Sequence, residues 1–198
     1  MRKYHINHNY FDKLCPRKAY WMGVLFGRSC LSKSNRGIIL LQLPLHKKKF
    51  LCSLNKEFKS NYPIRYSISN NTKRCSLVIN SRTIISKLKS YGYISGGNGH
   101  IRFLPRRYLK SFYRGYLDRR AWFWRGSKHF YVTGTLENIK AIVSFINRHI
   151  CKITRNPVNR GHLYCLTIEN PIHVSKIARY FYSGIKTTIK PKIVDIIN

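Results

Sequence analysis

The chain has 198 residues, 43% of them hydrophobic, which is enough for a globular protein with a packed core. Its 38 lysines and arginines against 6 aspartates and glutamates give a formal net charge of +32, far beyond the ~2 to 8 charges usual for a small domain. This balance favours a polyanionic partner, nucleic acid first, whereas no run approaches the ~18 apolar residues of a membrane span, so no membrane partner is expected.

The first half of the chain predicts the element order αββαββα. A helix is predicted over residues 16–27, strands over 29–33 and 37–43, and a second helix over about 46–59. In the next strand pair apolar residues alternate with polar ones, which predicts one buried and one wet face. The apolar set is Ile64, Tyr66, Ile68, Cys75, Leu77 and Ile79. Ser81 then predicts an N-cap for a helix that buries Ile84, Ile85 and Leu88.

The second half predicts the same order. A helix is predicted over residues 105–119, strands over 121–125 and 128–133 around Gly126 and Ser127, and a helix capped by Thr135. A further hairpin is predicted over about 151–169, turning through 156–161. Asn170 and Pro171 then open a last helix, because proline suits the first helical turn.

The matching order indicates an internal duplication. Gly23 and Gly115 occupy equivalent places in the first helix of each half, almost half the chain length apart. The glycine-rich stretch 92–99 predicts a loop between the halves. We therefore predict a first repeat over residues 1–95, including an N-terminal extension, and a second repeat over 96–198, including a C-terminal tail.

Two helical segments carry a resemblance to a known family. The stretches AYWMGVLFGRS (residues 19–29) and FYRGYLDRRA (residues 112–121) resemble the motifs of the LAGLIDADG homing endonucleases. The resemblance extends over roughly residues 10–192, although Ser29 and Ala121 replace the terminal glycine of each motif. It implies an α+β fold, a pseudo-symmetric duplication of the αββαββα unit. The two motif helices form the seam between the halves, and two antiparallel sheets form a saddle that grips a duplex.

The resemblance also bears on catalysis. In that family the final aspartate of each motif holds the divalent metal that activates water for phosphodiester cleavage. With Gly23 and Gly115 aligned to the first glycine of the motif, those positions hold Arg28 and Arg120. A guanidinium has no lone pair to offer a cation. We therefore expect an inactive nuclease with no catalytic residue, no metal and no cofactor, in which Asp118 serves helix capping and packing.

The remaining polar residues indicate no other chemistry. The six acidic residues are Asp12, Glu57, Asp118, Glu137, Glu169 and Asp195, and no two lie close enough in sequence to suggest a carboxylate pair. The six cysteines include no CxxC pair, and the eight histidines are scattered. We interpret the cysteines as mostly small buried residues, so neither set predicts a zinc site.

The candidate nucleic-acid contacts are basic residues predicted on strands, on hairpin tips and at the ends of the motif helices, with one tryptophan. They are Arg28, Lys33, Arg36, Arg65, Lys73, Arg74, Arg120, Trp124, Arg125, Lys128, Lys152, Arg155 and Arg160. Strand alternation sends Trp122 and Trp124 to one face and Phe123 and Arg125 to the other. Whether the tryptophans fill the core or stack on unpaired bases stays open at this point.

Composition then ranks the possible partners. The scarcity of acidic residues and the charge of +32 resemble ribosomal proteins, so the expected partners are RNA, rRNA first, and neighbouring ribosomal proteins. We expect a structural rRNA-binding component of an organellar ribosome, mitochondrial first and plastid second. An intron maturase that assists splicing and a DNA-binding homing endonuclease with residual activity stay as alternatives. No homo-oligomer is needed, because the chain carries both repeats.

Overall fold

A computed structural model of the chain describes residues 4–31, 37–69, 71–94, 99–124 and 129–183. The first half contains α1 (Pro16–Arg28), β1 (Cys30–Leu31), β2 (Ile38–Pro44), α2 (Lys48–Glu57), β3 (Ile64–Ser69), β4 (Thr72–Asn80) and α3 (Arg82–Ser90). The second half contains α4 (Arg106–Arg120), β5 (Ala121–Trp124), β6 (His129–Gly134), α5 (Leu136–His149), β7 (Val158–Arg160), β8 (Leu163–Ile168) and α6 (Pro171–Tyr182). The predicted order αββαββα, twice, is confirmed.

Each half builds one antiparallel sheet of the same topology. The strand order is β1-β2-β4-β3 in the first sheet and β5-β6-β8-β7 in the second. In both, the second strand of the first hairpin pairs with the second strand of the next hairpin, as in Leu41 opposite Leu77 and Val132 opposite Leu166. These four side chains are buried, so the centre of each sheet faces the core.

The helix starts follow from the residues that precede them. The hydroxyl of Ser81 accepts a hydrogen bond from the Ile84 amide at the start of α3, and the Thr135 hydroxyl accepts one from the Asn138 amide at the start of α5. Each satisfies a backbone donor that the first helical turn leaves without an internal partner. The predicted caps at Ser81 and Thr135 are confirmed.

One predicted hairpin is wrong in its turn. The chain reverses at Gly161, where φ is +74°, and residues 151–157 form no strand. Instead, the side chain of Asn147 in α5 accepts from the Ile153 amide at 2.6 Å and donates to the Ile153 carbonyl at 3.2 Å. This pair of bonds ties the segment to the helix and supplies the backbone partners that a neighbouring strand would have given.

The outer end of the β3–β4 hairpin also departs from the expected pattern. Tyr66 and Ile68 belong to the predicted buried face, yet they are 58% and 72% exposed. Tyr66 stands opposite the buried Cys75, so its strand has the expected register. α2 reaches this edge with the ammonium group of its first residue, Lys48, 5.2 Å from the centre of the Tyr66 ring, and leaves both side chains exposed. Across the described residues, no helix is both long enough and apolar enough for a membrane span.

Candidate nucleic-acid interface

The two halves meet where α1 packs on α4. A Cβ added at Gly23 would overlap the carbonyl oxygen of Phe112, and one added at Gly115 would overlap the carbonyl oxygen of Tyr20. The relation is reciprocal, as pseudo-twofold symmetry requires, and it brings the two backbones into contact. Only glycine fits at these two crossing points, so the seam of motif helices that the resemblance implied is present and is packed through glycines.

The seam is asymmetric one turn further along. Gly27 and Arg119 occupy equivalent motif positions, and a Cβ at Gly27 would lie 2.6 Å from the Cβ of Arg119. The missing side chain on one helix therefore leaves room for the large one on the other. The sequence analysis did not predict this contact. Its only signal in the sequence is Gly27, a second small residue one helical turn after Gly23.

The seam ends at Arg120, which is 6% exposed. Its Nε donates a hydrogen bond to the carbonyl oxygen of Gly27. That carbonyl lies in the last turn of α1, where acceptors have no partner inside the helix and a positive charge is favourable. The structure therefore corrects the candidate contact at Arg120: the residue is buried, and its Nε is bonded inside the seam.

Asp118 joins three helices. Its carboxylate accepts from the Tyr20 hydroxyl of α1 at 2.7 Å and from the Tyr182 hydroxyl of α6 at 2.8 Å, and the residue is 5% exposed. Burial first, and then the neighbouring Asp118 charge, raises the pKa of both tyrosines above the ordinary value. The guanidinium of Arg114 lies 4.4 Å from the centre of the Tyr20 ring. The packing role implied for Asp118 is confirmed, whereas the two tyrosines carry no local sequence signal.

Arg120 and Asp118, at the end of the second motif helix, are both bonded within the protein. Arg120 offers only donors, and both oxygens of Asp118 already accept tyrosine hydroxyls. A divalent ion needs oxygen, nitrogen or sulfur lone pairs directed at one point. In the parts of the chain that are described, no group of three or more histidine, cysteine, aspartate or glutamate side chains has the arrangement to hold a metal.

The first sheet turns its outer face towards solvent. β2 alternates buried and exposed residues, and Gln42 is exposed on the outer face. Ser76 of β4 stands between Gln42 of β2 and Arg65 of β3, so all three share this face. Arg65 is exposed, and Nη1 of Arg74 lies 3.4 Å from Oε1 of Gln42 on the same face. Two of the predicted contacts, Arg65 and Arg74, therefore share this surface.

Lys73 belongs to the other side of that sheet. It pairs with Ile68 and precedes Arg74 directly, and neighbouring residues of a strand point to opposite faces. Of the two candidate contacts Lys73 and Arg74, only Arg74 therefore lies on the outer face. Lys73 is exposed on the opposite face, next to the exposed Ile68.

The outer face of the second sheet is aromatic. Trp122 is 47% exposed and pairs with Tyr131, their ring centres 5.7 Å apart. Phe123 points the other way, against Phe130, so the predicted alternation is confirmed. The hydrogen bond to Cys165 and burial raise the pKa of Tyr131. Arg160 is exposed and pairs with Leu163, two residues before Cys165, so it lies on the same outer face of the sheet.

The remaining predicted contacts are spread more widely. Lys152 and Arg155 are exposed on the segment before β7, where Arg155 forms an ion pair with Glu169. The predicted contacts outside the described residues are Lys33, Arg36, Arg125 and Lys128, and the side chains of Arg28 and Trp124 are not described either. Among the described residues, the outer face of the first sheet thus carries Arg65 and Arg74, and the outer face of the second sheet carries Arg160 and Trp122.

The chain has the fold of the LAGLIDADG homing endonucleases. It is similar to the LAGLIDADG meganuclease I-AabMI bound to uncleaved DNA, with 12% identity, a TM-score of 0.60, and 93% of this chain and 89% of that chain covered. It is also similar to the LAGLIDADG homing endonuclease I-GzeII in complex with its DNA target (11%, 0.59, 93% and 88%) and to the meganuclease I-SmaMI bound to uncleaveable DNA (16%, 0.61, 93% and 88%). At the sequence level, no family model and no curated protein matches.

Proposed function

We propose that this chain is a catalytically inactive RNA-binding protein on a homing-endonuclease fold. The observation that carries the proposal is the buried Arg120, whose guanidinium is bonded to the Gly27 carbonyl at the end of the seam. The motif resemblance places a metal-binding carboxylate at this position. An arginine fixed there can neither hold a metal nor activate water.

The distribution of charge supports RNA over a DNA duplex. A duplex lying in a saddle meets only the outer faces of the sheets. Exposed cations of the described residues also cover the helices on the other sides of the protein, as in Lys49, Lys89, Arg107, Lys140 and Lys176. Phosphates approaching from several directions match this arrangement, because each buried phosphate group needs a counter-charge near it.

The exposed Trp122 supports RNA on a second ground. Sequence-tolerant binding of unpaired nucleotides uses aromatic rings on a sheet as stacking platforms. Trp122 and Tyr131 present such a surface on the same sheet face as Arg160, whereas a paired duplex hides the faces of its bases.

The permanent partner in this proposal is a ribosome. A chain with +32 net charge repels itself unless a polyanion remains bound. We therefore propose a structural rRNA-binding component of an organellar ribosome, mitochondrial first and plastid second, in contact with neighbouring ribosomal proteins. The proposed compartment rests on the family resemblance.

Sedimentation of the tagged chain from organelle extracts tests this proposal. We expect the chain to remain with one ribosomal subunit through a high-salt wash and to leave that fraction after ribonuclease treatment. Co-sedimentation with one intron RNA instead of a subunit would assign the chain to splicing as a maturase and would overturn the ribosomal proposal. Fractionation of intact cells by organelle tests the compartment.

DNA binding is the second candidate, because the similar solved structures are bound to DNA. A cleavage assay with purified chain and plasmid libraries, with and without magnesium, separates the two. We expect no magnesium-dependent cutting. Cutting that appears with magnesium and disappears with a chelator would show an active nuclease, and the role given to Arg120 would be wrong.

A further inference from the structure

We infer that the chain has a second RNA-binding surface at the end of α1 and α4 that lies away from the sheets, with Phe103 stacking on an unpaired base. The inference rests on the proposed function, since it adds a second RNA contact to the same protein. We call this surface the basic pole and define it as Lys13, Arg102, Phe103, Arg106 and Arg107.

The position of the basic pole follows from the direction of the seam helices. The Tyr108 hydroxyl in the first turn of α4 donates to the carbonyl of Leu14, just before α1, at 2.9 Å. At the other end Arg120 donates to Gly27. The helices therefore run side by side in the same direction, and both lead into their sheets. α4 has 15 residues and is roughly 22 Å long, which separates the basic pole from the sheet faces by about that distance.

Phe103 projects from this end into solvent. Its side chain is 85% exposed, the highest value among the large exposed hydrophobic residues of the described chain. Its φ is +58°, in the left-handed region that a bulky residue rarely adopts. The neighbours hold this conformation, because the Arg102 amide donates to the Tyr91 carbonyl at 2.8 Å and Leu104 is buried.

Three arginines lie close in sequence to Phe103. Arg102, Arg106 and Arg107 are exposed, and the guanidinium of Arg107 lies 4.9 Å from the centre of the Tyr108 ring. Nε of Arg102 donates to His100 at 2.8 Å, which directs that side chain along the loop. The Asn138 side chain donates to the Gly99 carbonyl at 2.8 Å, which brings the neighbouring acidic Glu137 towards this loop, but the three arginines outnumber it.

This combination fits a nucleotide better than another ligand. An RNA strand offers phosphates to the arginines and the face of an unpaired base to the ring, and arginine binds phosphate through two parallel hydrogen bonds. Since the basic pole and the sheet faces lie at opposite ends of α4, one chain would hold two RNA segments about 20 Å or more apart. This arrangement suits a protein embedded in folded RNA.

Two RNA probes test the inference with the full-length chain: a hairpin with an unpaired loop, and a blunt duplex of the same stem. Phe103→Asn is the main variant, because asparagine tolerates a positive φ and should fold. We expect it to weaken binding to the hairpin by about 5- to 150-fold and to leave duplex binding unchanged. Phe103→Tyr keeps a stacking ring and should bind the hairpin like the wild type. Ile172→Asn, at another exposed apolar residue, is the matched control.

A second variant tests the cations. The triple substitution Arg102→Gln, Arg106→Gln and Arg107→Gln should reduce the slope of log affinity against log salt for the hairpin by roughly 2. A charge-matched triple of exposed arginines on α3, α5 and α6, Arg82→Gln, Arg148→Gln and Arg179→Gln, should leave that slope closer to the wild-type value.

The outcomes are separable from those of the proposed function. A wild-type chain that binds neither RNA would overturn the proposed function and this inference together. A wild type that binds both RNAs, with Phe103→Asn and the basic-pole triple indistinguishable from their controls, would overturn this inference alone. This inference alone would also be overturned if Phe103→Asn lost binding to vesicles of anionic lipid but kept binding to the hairpin, since the ring would then bind a membrane surface.

Discussion

The contact of α1 with α4 at Gly23 can be tested by adding one methyl group. Without neighbours, Gly23→Ala would stabilise the α1 helix by about 1 kcal/mol, because alanine is the better helix former. In the seam the added carbon would overlap the Phe112 carbonyl oxygen and lie 2.9 Å from both the Phe112 carbonyl carbon and the Tyr116 nitrogen. Ordinary contact distances return only if the helices separate by roughly 0.5 to 1 Å.

Such overpacking costs about 1 to 3 kcal/mol. The upper end of that range applies here, because the obstructing atoms are backbone and no rotamer change relieves them. After subtraction of the gain in helix propensity, we expect Gly23→Ala to lower the free energy of unfolding by about 2 kcal/mol. Equilibrium unfolding in urea, followed by circular dichroism, measures this change.

Two further variants sharpen the test. Gly115→Ala should cost a similar amount, and the double variant should cost less than the two single costs added together, because one separation of the helices relieves both overlaps. Gly161→Ala is the control: its φ is +74° but no atom lies within 4 Å, so it reports backbone strain without a clash. A Gly23→Ala chain at least as stable as the wild type would refute the seam described here, since only helix propensity would then operate.

Other expected outcomes concern Asp118 and the sheet face. Asp118→Asn leaves two buried tyrosine hydroxyls with one carbonyl acceptor, so unfolding in urea should show a loss of about 1 to 3 kcal/mol, and an unchanged midpoint would contradict the role given to the carboxylate. Because burial, together with Asp118, raises the pKa of Tyr20 and Tyr182, the native chain keeps protons that the unfolded chain releases above about pH 10. The two tyrosines therefore contribute a constant amount to the free energy of unfolding below about pH 10, and this contribution is lost as the pH rises further. Thermal unfolding across this range should show a smaller alkaline decrease in Tyr182→Phe than in the wild type. The double variant Arg65→Gln with Arg74→Gln should lower the log–log salt slope for RNA binding by roughly 1.4 to 1.8 without changing the melting temperature, and an unaltered slope would remove these residues from the interface.

The local part of the fold could be predicted from the sequence. Helix starts at Ser81 and Thr135 and the alternation that separates Trp122 from Phe123 depend on neighbouring residues only, and the structure has them as predicted. The packing of the Gly23 helix on the Gly115 helix was implied by the family resemblance, because internal repetition shows that the two helices are equivalent but not that they touch.

The remaining features depend on partners that sequence patterns do not identify. Asn147 replaces a strand partner for Ile153, and nothing near residue 153 indicates it. Tyr182 reaches Asp118 from another helix, 64 residues further along. Tyr66 and Ile68 alternate correctly but stay exposed beside α2, and strand periodicity does not include the length of the covering layer.

Arg120 connects the proposed loss of catalysis with the stability of the fold. Its Nε satisfies a carbonyl in the last turn of α1, and its positive charge is favourable at that end of the helix. Arg120→Asp would therefore bury a carboxylate and remove the donor to Gly27. We expect this variant to lose about 2 to 4 kcal/mol of stability without gaining nuclease activity, because both the unmet carbonyl and the buried charge are costly.

Urea unfolding and a magnesium-dependent cleavage assay on the same preparation measure both effects, with Arg120→Met as the control that removes the donor without adding a negative charge. We expect Arg120→Met to lose less stability than Arg120→Asp. A stable Arg120→Asp chain that cuts DNA would mean that the seam still accommodates a metal, and that the guanidinium fills a site the fold has kept. A destabilised chain that does not cut would mean that the seam now depends on the arginine, so that reversing a single substitution cannot restore the ancestral chemistry.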